Sequence, residues 1–257
     1  MQQGDAATRA ETFRALHVRG DPLVLFNVWD AGTARIAAAS GARAIATASW
    51  AVAAAHGFED GEALALQTAL QNLKRIVGAV DLPVTVDLES GYGRSPEQVG
   101  DTVARAVAAG AVGFNLEDQI IGQNAIFGIS DQVDRIRAAR RAADATGVGA
   151  FVNARTDVFL QAGPDAQMDA LLKVATERAA AFHDAGADGF FAPGLVDPEA
   201  IGRLCKASPL PVNIMAQPQA PDRRVLSELG VARISHGPGP YRAAMAAFTE
   251  LASAAFA

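Results

Sequence analysis

The feature that most limits the fold is a pattern that recurs along the whole chain: an apolar strand, a loop, an alanine-rich helix and then the next strand. The segments that fit the strand position are residues 23–28, 44–48, 84–87, 112–117, 150–154, 189–192, 212–215 and 232–235. Strands that are apolar throughout and separated by helices are typical of a parallel sheet covered by helices. Eight such units in 257 residues predict a (β/α)8 TIM barrel, with a doubly wound open sheet as the alternative.

Helix boundary signals support the same division of the chain. Gly41, Gly110, Gly186 and Gly230 each follow a helical pattern just before a strand, where glycine ends a helix in the left-handed conformation. The segment Ser95-Pro96-Glu97-Gln98 is a capping box with proline at the first helical position. No linker or shift of composition interrupts the pattern. Residues 1–257 are therefore predicted to form a single domain, in which residues 1–20 are an N-terminal extension and helix.

Composition excludes several classes of partner. The net charge of -6 and the pI near 5.2 argue against nucleic acid or an anionic membrane surface as the main partner. The single cysteine, Cys205, rules out an internal disulfide framework and fits a reducing compartment. Neither a leader sequence nor an apolar run of membrane-spanning length is found. We therefore expect a soluble, cytoplasmic protein.

The stretch from residue 82 to residue 93 turns from apolar to acidic and then to glycine. Asp87 and Glu89 stand two apart at the end of a predicted strand, so strand alternation predicts that both side chains face the same way. Two crowded carboxylates repel each other unless a cation lies between them or one is protonated. Oxygen ligands suit Mg²⁺ or Mn²⁺. The alternative is a helix N-terminus that carries acids, but the next strand ends in Glu117 and Asp118, which favours the metal site.

The other predicted strands also end in polar side chains. In a barrel the active site lies at the carboxyl ends of the strands. The residues at those ends are Asn27, Trp29, Asp30, Ser49, Trp50, Asp87, Glu89, Glu117, Asp118, Asn153, Arg155, Asn213, Ser235 and His236. This set contains no Ser-His-Asp arrangement and no lysine positioned for a Schiff base.

These motifs resemble those of the isocitrate lyase/phosphoenolpyruvate mutase superfamily. Residues 87–93 match its signature Asp-x-Asp-x-Gly-Tyr/Phe-Gly, with Glu89 in place of the second Asp. Residues 27–31 resemble its first-strand end, residues 47–53 its substrate loop, residues 115–119 its Glu-Asp pair and residues 153–157 its arginine strand. The resemblance extends from about residue 23 to residue 245, and the motifs are specific in combination.

The resemblance implies a metal site and a set of catalytic acids. Asp87 is expected to hold Mg²⁺ (or Mn²⁺) directly, while Glu89 and Glu117 act largely through water. Asp60 stands where the family has an acid on the following loop. Breaking a bond next to a carbonyl leaves an enolate, and a cation with oriented donors stabilises that charge.

The resemblance also implies how a small carboxylate substrate is bound. Backbone N–H groups near Ser49 and Trp50 are expected to hold the carboxylate of a 2-oxo acid, and Arg155 its remaining negative charge. Trp29 and Asn213, at other strand ends, complete the predicted substrate-binding set. Arg155 has an alternative role as a structural ion pair with a strand-end acid, and both roles are compatible.

One loop departs from the family pattern. Members that cleave isocitrate or 2-methylisocitrate carry a Lys-Lys/Arg-Cys-Gly-His loop after the Glu-Asp strand. Residues 119–128 read Gln-Ile-Ile-Gly-Gln-Asn-Ala-Ile-Phe-Gly and contain no Cys, Lys or His. This argues against both of those activities. Asn124 lies about one residue from the asparagine that the phosphonomutase branch uses, but the lysine of that branch is missing.

Three functions follow from these observations. The first is Mg²⁺-dependent cleavage of a carbon–carbon bond, of lyase or decarboxylase type, in a small 2-oxo or 2-hydroxy di-acid through a metal-stabilised enolate. The second is P–C chemistry like that of phosphoenolpyruvate mutase or phosphonopyruvate hydrolase, with Asn124 as a catalytic residue. The third is a catalytically weak binder of metal and 2-oxo acid.

The last helical segment, residues 241–257, carries Met245, Phe248 and Leu251 at helical spacing. In the resembled family the last barrel helix is exchanged between subunits, which implies a homo-oligomer, either a dimer or a homotetramer. A helix that covers its own barrel would show the same pattern.

Overall fold

Parallel strands form a nearly closed ring in the computed structural model of the chain, which describes residues 3–163 and 165–257. The eight strands are β1 Leu23–Leu25, β2 Ile45–Ala46, β3 Val84–Asp87, β4 Gly113–Glu117, β5 Phe151–Arg155, β6 Gly189–Phe191, β7 Val212–Met215 and β8 Arg233–Ser235. Neighbouring strands follow chain order, and β8 pairs with β1. A parallel bridge between Val28 and Thr47 joins the chain after β1 to the chain after β2. The predicted barrel is confirmed, and the open-sheet alternative is wrong.

Helices cover the outside of the barrel. They are α1 Gln3–Ala15, α2 Ala31–Ala39, α3 Ser49–Ala55, α4 Leu66–Val77, α5 Pro96–Ala108, α6 Ile129–Ala145, α7 Met168–Asp184, α8 Pro198–Ala207, α9 Arg223–Glu228 and α10 Gly239–Phe256. The predicted capping box between Ser95 and Gln98 is present at the start of α5. Gly110 adopts a φ of +106° after that helix, as its left-handed end requires. Within the described ranges, no helix combines the length and apolarity that a membrane crossing requires.

Helix α1 closes the amino-terminal end of the barrel. Phe13 is fully buried and packs edge-on against Phe151 of β5, with 5.6 Å between the ring centroids. A Cβ atom on Gly113 of β4 would lie 2.9 Å from the Phe13 ring, so the absence of a side chain at position 113 leaves space for that ring. His17 stacks on Phe151, and burial lowers the pKa of His17 to about 3. The predicted N-terminal helix is thus part of the barrel core.

Helix α10 is largely uncovered. Pro240 is its one buried residue within this fully described helix, whereas Phe248 is 67% exposed and Leu251 is 72% exposed. A groove of about 710 Å³ runs along the outside of β1, between α2 and the start of α10. Phe26 and Ile36 are among its apolar lining residues and are themselves exposed. An apolar helix face and an apolar groove are therefore both left open on the same subunit.

Candidate active site

A cavity of about 150 Å³ opens at the carboxyl ends of the strands. It is lined by Asn27, Ala48, Ser49, Trp50, Asp60, Asp87, Asn115, Arg155, Leu160, Phe191, Pro193, Met215, Ser235, Gly237 and Pro238. Five of the predicted site residues lie on its wall: Ser49, Trp50, Asp60, Asp87 and Arg155. The structure therefore brings these side chains together in one small chamber.

Asp87, the last residue of β3, has one engaged and one free carboxylate oxygen. Ser49, the first residue of α3, donates to Asp87 Oδ2 from its hydroxyl at 2.8 Å and from its backbone N–H at 3.2 Å. The Asp87 N–H donates to Thr47 Oγ1 at 3.0 Å. Asp87 Oδ1 is buried and has no hydrogen-bond partner in the described part of the chain. A buried acceptor without a partner requires an explanation, and its position on the cavity wall indicates a ligand.

Glu89 holds a strained loop beside Asp87. Strand β3 ends at Asp87 and Glu89 has a φ of +51°, so the prediction that strand alternation orients Glu89 is wrong. Its carboxylate accepts the N–H groups of Gly61 and Glu62 at 2.8 and 2.5 Å and the Tyr92 hydroxyl at 3.1 Å. Glu62 and Tyr92 also have positive φ, and with Glu89 they are the non-glycine residues in that conformation among the described residues. Backbone strain of this kind concentrates at functional sites.

Arg155, at the end of β5, pairs with two buried acids. Its Nη1 lies 2.7 Å from Glu117 Oε2, and its Nε and Nη2 donate to the two oxygens of Asp157 at 2.7 and 3.0 Å. Burial raises the pKa of Glu117 well above its ordinary value, and the Arg155 charge opposes that rise. The predicted structural ion pair is therefore present. Three of the five guanidinium N–H groups serve these bonds, which leaves two for a ligand.

The neighbouring acid, Asp118, faces away from the cavity. It is fully buried and accepts bonds from Arg178 Nη1 at 2.9 Å, Thr156 Oγ1 at 2.7 Å and the Asp157 N–H at 2.9 Å. Burial raises its pKa to about 6. Asp118 thus links β4 to the end of β5 and to α7, while Glu117 pairs with Arg155 of the cavity wall.

The carboxylates of the site fit a divalent cation in part. Asp87 Oδ1 is free, whereas Glu89 and Glu117 are engaged by protein donors. Among the described residues no group of three or more His, Cys, Asp or Glu side chains is arranged to hold a metal ion. Mg²⁺ uses one or two carboxylates and keeps several waters. Asp87 therefore fits direct coordination, and the engaged acids fit contact through water.

Asp60 lines the cavity and directly precedes Gly61, whose N–H donates to Glu89. Partial burial, and next the Asp87 carboxylate, raise the pKa of Asp60. Burial and the Asp60 charge in turn raise the pKa of Glu89 to about 7. The site thus concentrates negative charge that a cation would relieve.

Five predicted residues do not line the cavity: Glu89 and Glu117, whose contacts are given above, and Trp29, Asn213 and Asn124. Trp29 packs edge-on against Tyr241 with 5.1 Å between ring centroids and borders the outer groove. Asn213 is 1% exposed and bonds Ser235 inside the barrel. Asn124 is exposed near the tip of a hairpin that Gln119 and Ile126 close by an antiparallel bridge.

Asn115 lines the cavity but was not among the predicted site residues. It stands two residues before Glu117 on β4, so the alternation of side chains would have placed both on the inner face. Asn27 was noted only as a strand-end residue; its Oδ1 accepts the N–H groups of His236 and Gly237, both at 2.9 Å. That bond could not be read from the sequence, because it joins residues at opposite ends of the chain.

Comparisons with known proteins agree with this architecture. The profile of the phosphoenolpyruvate phosphomutase family matches residues 13–256. An uncharacterized protein of Mycobacterium tuberculosis is 34% identical over 245 residues, which cover 95% of this chain and 88% of that protein. The 2-methylisocitrate lyase of Escherichia coli is 34% identical over 202 residues, which cover 76% of this chain and 63% of the lyase.

One solved structure is similar over nearly the full length. It is a proposed phosphonomutase from Burkholderia cenocepacia J2315, with 50% sequence identity and a TM-score of 0.95. The match covers 97% of this chain and 99% of that chain.

Proposed function

The chain belongs to the phosphoenolpyruvate phosphomutase family, and we propose that this member is an enzyme that cleaves a carbon–carbon bond in a small 2-oxo or 2-hydroxy di-acid. Similarity to a 2-methylisocitrate lyase supports lyase chemistry. The cavity of about 150 Å³ supports a small substrate, since pockets for drug-sized ligands measure roughly 300–1,000 Å³.

The observation that carries this proposal is the free oxygen of Asp87 on the cavity wall. Ser49 holds the other oxygen, so Oδ1 keeps its direction. When bound there, Mg²⁺ or Mn²⁺ supplies positive charge that stabilises the negative charge developing on the substrate. Asp60 and Glu117 add acidic groups to the same neighbourhood.

The chain also offers donors for the substrate carboxylates. Ala48, which precedes α3, provides no side-chain cap for the first turn of that helix. The Ser49 N–H already donates to Asp87 Oδ2, whereas in the described part of the chain the Trp50 N–H has no backbone acceptor outside the helix and can donate to a carboxylate. Arg155 lies on the same cavity wall, and its two unused N–H groups suit a second carboxylate.

The composition of the loop at residues 119–128 selects among possible reactions. This loop contains no Cys, Lys or His to act as a general acid or base. Decarboxylation needs least from such a group, because the bond to the departing carboxylate leaves its electrons on the enolate and carbon dioxide departs without a base. A water molecule then supplies the proton to carbon.

P–C bond chemistry is the second candidate. Asn124 supports it, because the phosphonomutase branch has an asparagine near this position of the loop. The similarity to a proposed phosphonomutase supports it as well. In the structure Asn124 lies outside the cavity, so this function requires the hairpin to fold over the site.

The proposal is tested by a turnover panel with purified protein, with Mg²⁺, with Mn²⁺ and with EDTA. The panel includes oxaloacetate, substituted malates, methylisocitrate and phosphonopyruvate. We expect a 2-oxo acid product from a C–C substrate in the presence of the cation and its loss with EDTA. Phosphate or phosphoenolpyruvate from phosphonopyruvate, without any C–C turnover, would establish the second function. Metal-dependent stabilisation by these acids without turnover would identify a binder.

We further propose that the protein is a homo-oligomer in which α10 packs into the groove of a neighbouring subunit. The exposed face of α10 at Phe248 and Leu251 and the open groove beside β1 support this exchange. In a closed barrel the helix after β8 would cover its own strand, but α10 leaves that position open. Each subunit thus presents both halves of a self-complementary contact.

Phe248→Asp is expected to convert the oligomer to a monomer, because a charge would enter an apolar contact on each subunit. Light scattering after size-exclusion chromatography measures the mass directly. Glu250→Lys is the matched control, since it changes charge on the same helix away from the apolar face. An unchanged mass for Phe248→Asp would rule out the exchange.

A further inference from the structure

The interior of the barrel beneath the cavity is polar around Arg233 of β8. Arg233 is 1% exposed, and its Nε and Nη2 donate to Ser235 Oγ and to Asn115 Oδ1, both at 3.2 Å. In the described part of the chain its Nη1 has no hydrogen-bond partner and no acid forms an ion pair with it, although the charge of Asp87 acts on it from a greater distance. Layers inside such barrels are usually filled by bulky branched side chains. A buried guanidinium without an acid in contact is costly, which indicates that it serves the site above it.

Arg233 determines the direction of the Asn115 amide. A guanidinium only donates hydrogen bonds, so the Asn115 atom that faces it must be the oxygen. Asn153 Nδ2 donates to the same oxygen at 2.9 Å. Both lone pairs of Asn115 Oδ1 are therefore used by donors from β5 and β8.

The Asn115 Nδ2 group is left facing the cavity. Asn115 lines the cavity, and in the described residues its Nδ2 neither donates to a protein acceptor nor belongs to the buried unpartnered atoms. Two other polar residues that line the cavity, Ser235 and Asn27, already form hydrogen bonds within the protein. Ser235 Oγ accepts from Arg233 and from Asn213 and donates to Asn213 Oδ1. Asn27 Nδ2 donates to the Thr47 carbonyl at 2.8 Å.

We propose that Asn115 is a substrate-binding residue whose amide N–H groups recognise an acceptor oxygen, and that Arg233 is the positioning residue that holds it in this direction. The class of ligand, a small 2-oxo acid, rests on the proposed function. The ligand atom that Asn115 contacts is a carboxylate or oxo oxygen, because the Asn115 Nδ2 group can only donate hydrogen bonds.

The test measures the binding of oxalate with Mg²⁺ by calorimetry. Oxalate is a planar dicarboxylate that resembles the enolate of a 2-oxo acid. Asn115→Asp replaces the donor by a carboxylate oxygen, so oxalate is expected to bind at least about tenfold more weakly. The same change gives Arg233 a buried acid partner, so the thermal midpoint of the ligand-free protein should not fall. If Asn115 had only a structural role, oxalate affinity and the thermal midpoint would fall together.

Arg233→Met removes the donor that directs Asn115. Replacing a poorly paired buried charge by an apolar side chain is often neutral or stabilising, so the thermal midpoint should hold while oxalate affinity falls severalfold. Arg233→Lys keeps a donor-only group and should recover part of that affinity. Arg140→Met is the matched control: Arg140 pairs with Asp188 at the opposite end of the barrel, so this variant should lose stability and keep oxalate affinity.

Each outcome separates this inference from the proposed function. Unchanged oxalate affinity in Asn115→Asp and Arg233→Met would overturn the inference even if a C–C substrate is turned over. Losses of affinity that follow losses of stability, or a wild-type protein that does not bind oxalate, would also overturn it. A silent turnover panel with Asn115-dependent oxalate binding would overturn the proposed function alone.

Discussion

Asp87→Asn is expected to lower kcat/KM for the productive substrate by about a thousandfold or more, since it removes the charge that fits the cation. The asparagine side chain keeps an acceptor for the Ser49 hydroxyl, so the fold should persist. The measurement is kcat/KM as a function of Mg²⁺ concentration, together with the Kd for Mg²⁺. We expect a large rise in that Kd, and added cation should restore little of the rate.

The matched control for this variant is Asp134→Asn on α6. Asp134 is exposed and pairs with Arg137 on the same helix, so the same chemical change occurs far from the cavity. Its kinetic constants should equal those of the wild type. Wild-type activity in Asp87→Asn would remove the basis of the proposed metal site.

Arg155→Met is expected to lower the free energy of unfolding by about 3–5 kcal/mol, because it leaves Glu117 and Asp157 buried without their counter-charge. Activity should be lost as well, since the same guanidinium lies on the cavity wall. Urea unfolding at pH 8 measures the loss of stability. The loss should be smaller at pH 5, where protonation removes the charge of Glu117, because burial already raises the pKa of Glu117 well above its ordinary value in the wild-type protein.

Arg203→Met provides the comparison for that stability change. Arg203 pairs with Asp169 on the surface at 2.7 Å, and both side chains are more than half exposed. Such pairs contribute about 0–1 kcal/mol. A loss in Arg155→Met that is no larger than the loss in Arg203→Met would show that the three-residue ion pair does not stabilise the fold.

The barrel could be predicted from the sequence because its signal is local and repeated. Each predicted strand forms, although several are shorter than expected; residues 23–28 form β1 only from Leu23 to Leu25. The rule that barrel sites lie at the carboxyl ends of strands then selected Asp87 and Arg155 without any structure. These residues stand at the ends of β3 and β5, where backbone periodicity determines their position.

The predictions for Trp29 and Asn213 depended on side-chain direction at a strand end, which periodicity does not determine. Trp29 lies four residues beyond Leu25, the last residue of β1, and its ring packs against Tyr241 instead of lining the cavity. Asn213 stands lower in β7, inside the barrel rather than at its rim. The predicted direction of Glu89 was wrong for a third reason: β3 ends at Asp87, and the positive φ of Glu89 takes this residue out of strand geometry.

The course of α10 could not be predicted either. The same apolar spacing would suit a helix that covers its own barrel or one that enters a neighbour. The exposed Phe248 and the open groove beside β1 support the second arrangement, which stays a proposal until the oligomeric mass is measured.

The shared oxygen of Asn115 has a consequence for directed evolution of this pocket. A Cβ atom on Gly189 would lie 2.7 Å from Asn153 Oδ1, so position 189 also limits where Asn153 can stand. Changing position 115 alone to a residue without a side-chain acceptor would leave two donors, from Asn153 and Arg233, without a partner. A library that aims at new substrates should therefore vary positions 115, 153 and 233 together and keep glycine at position 189.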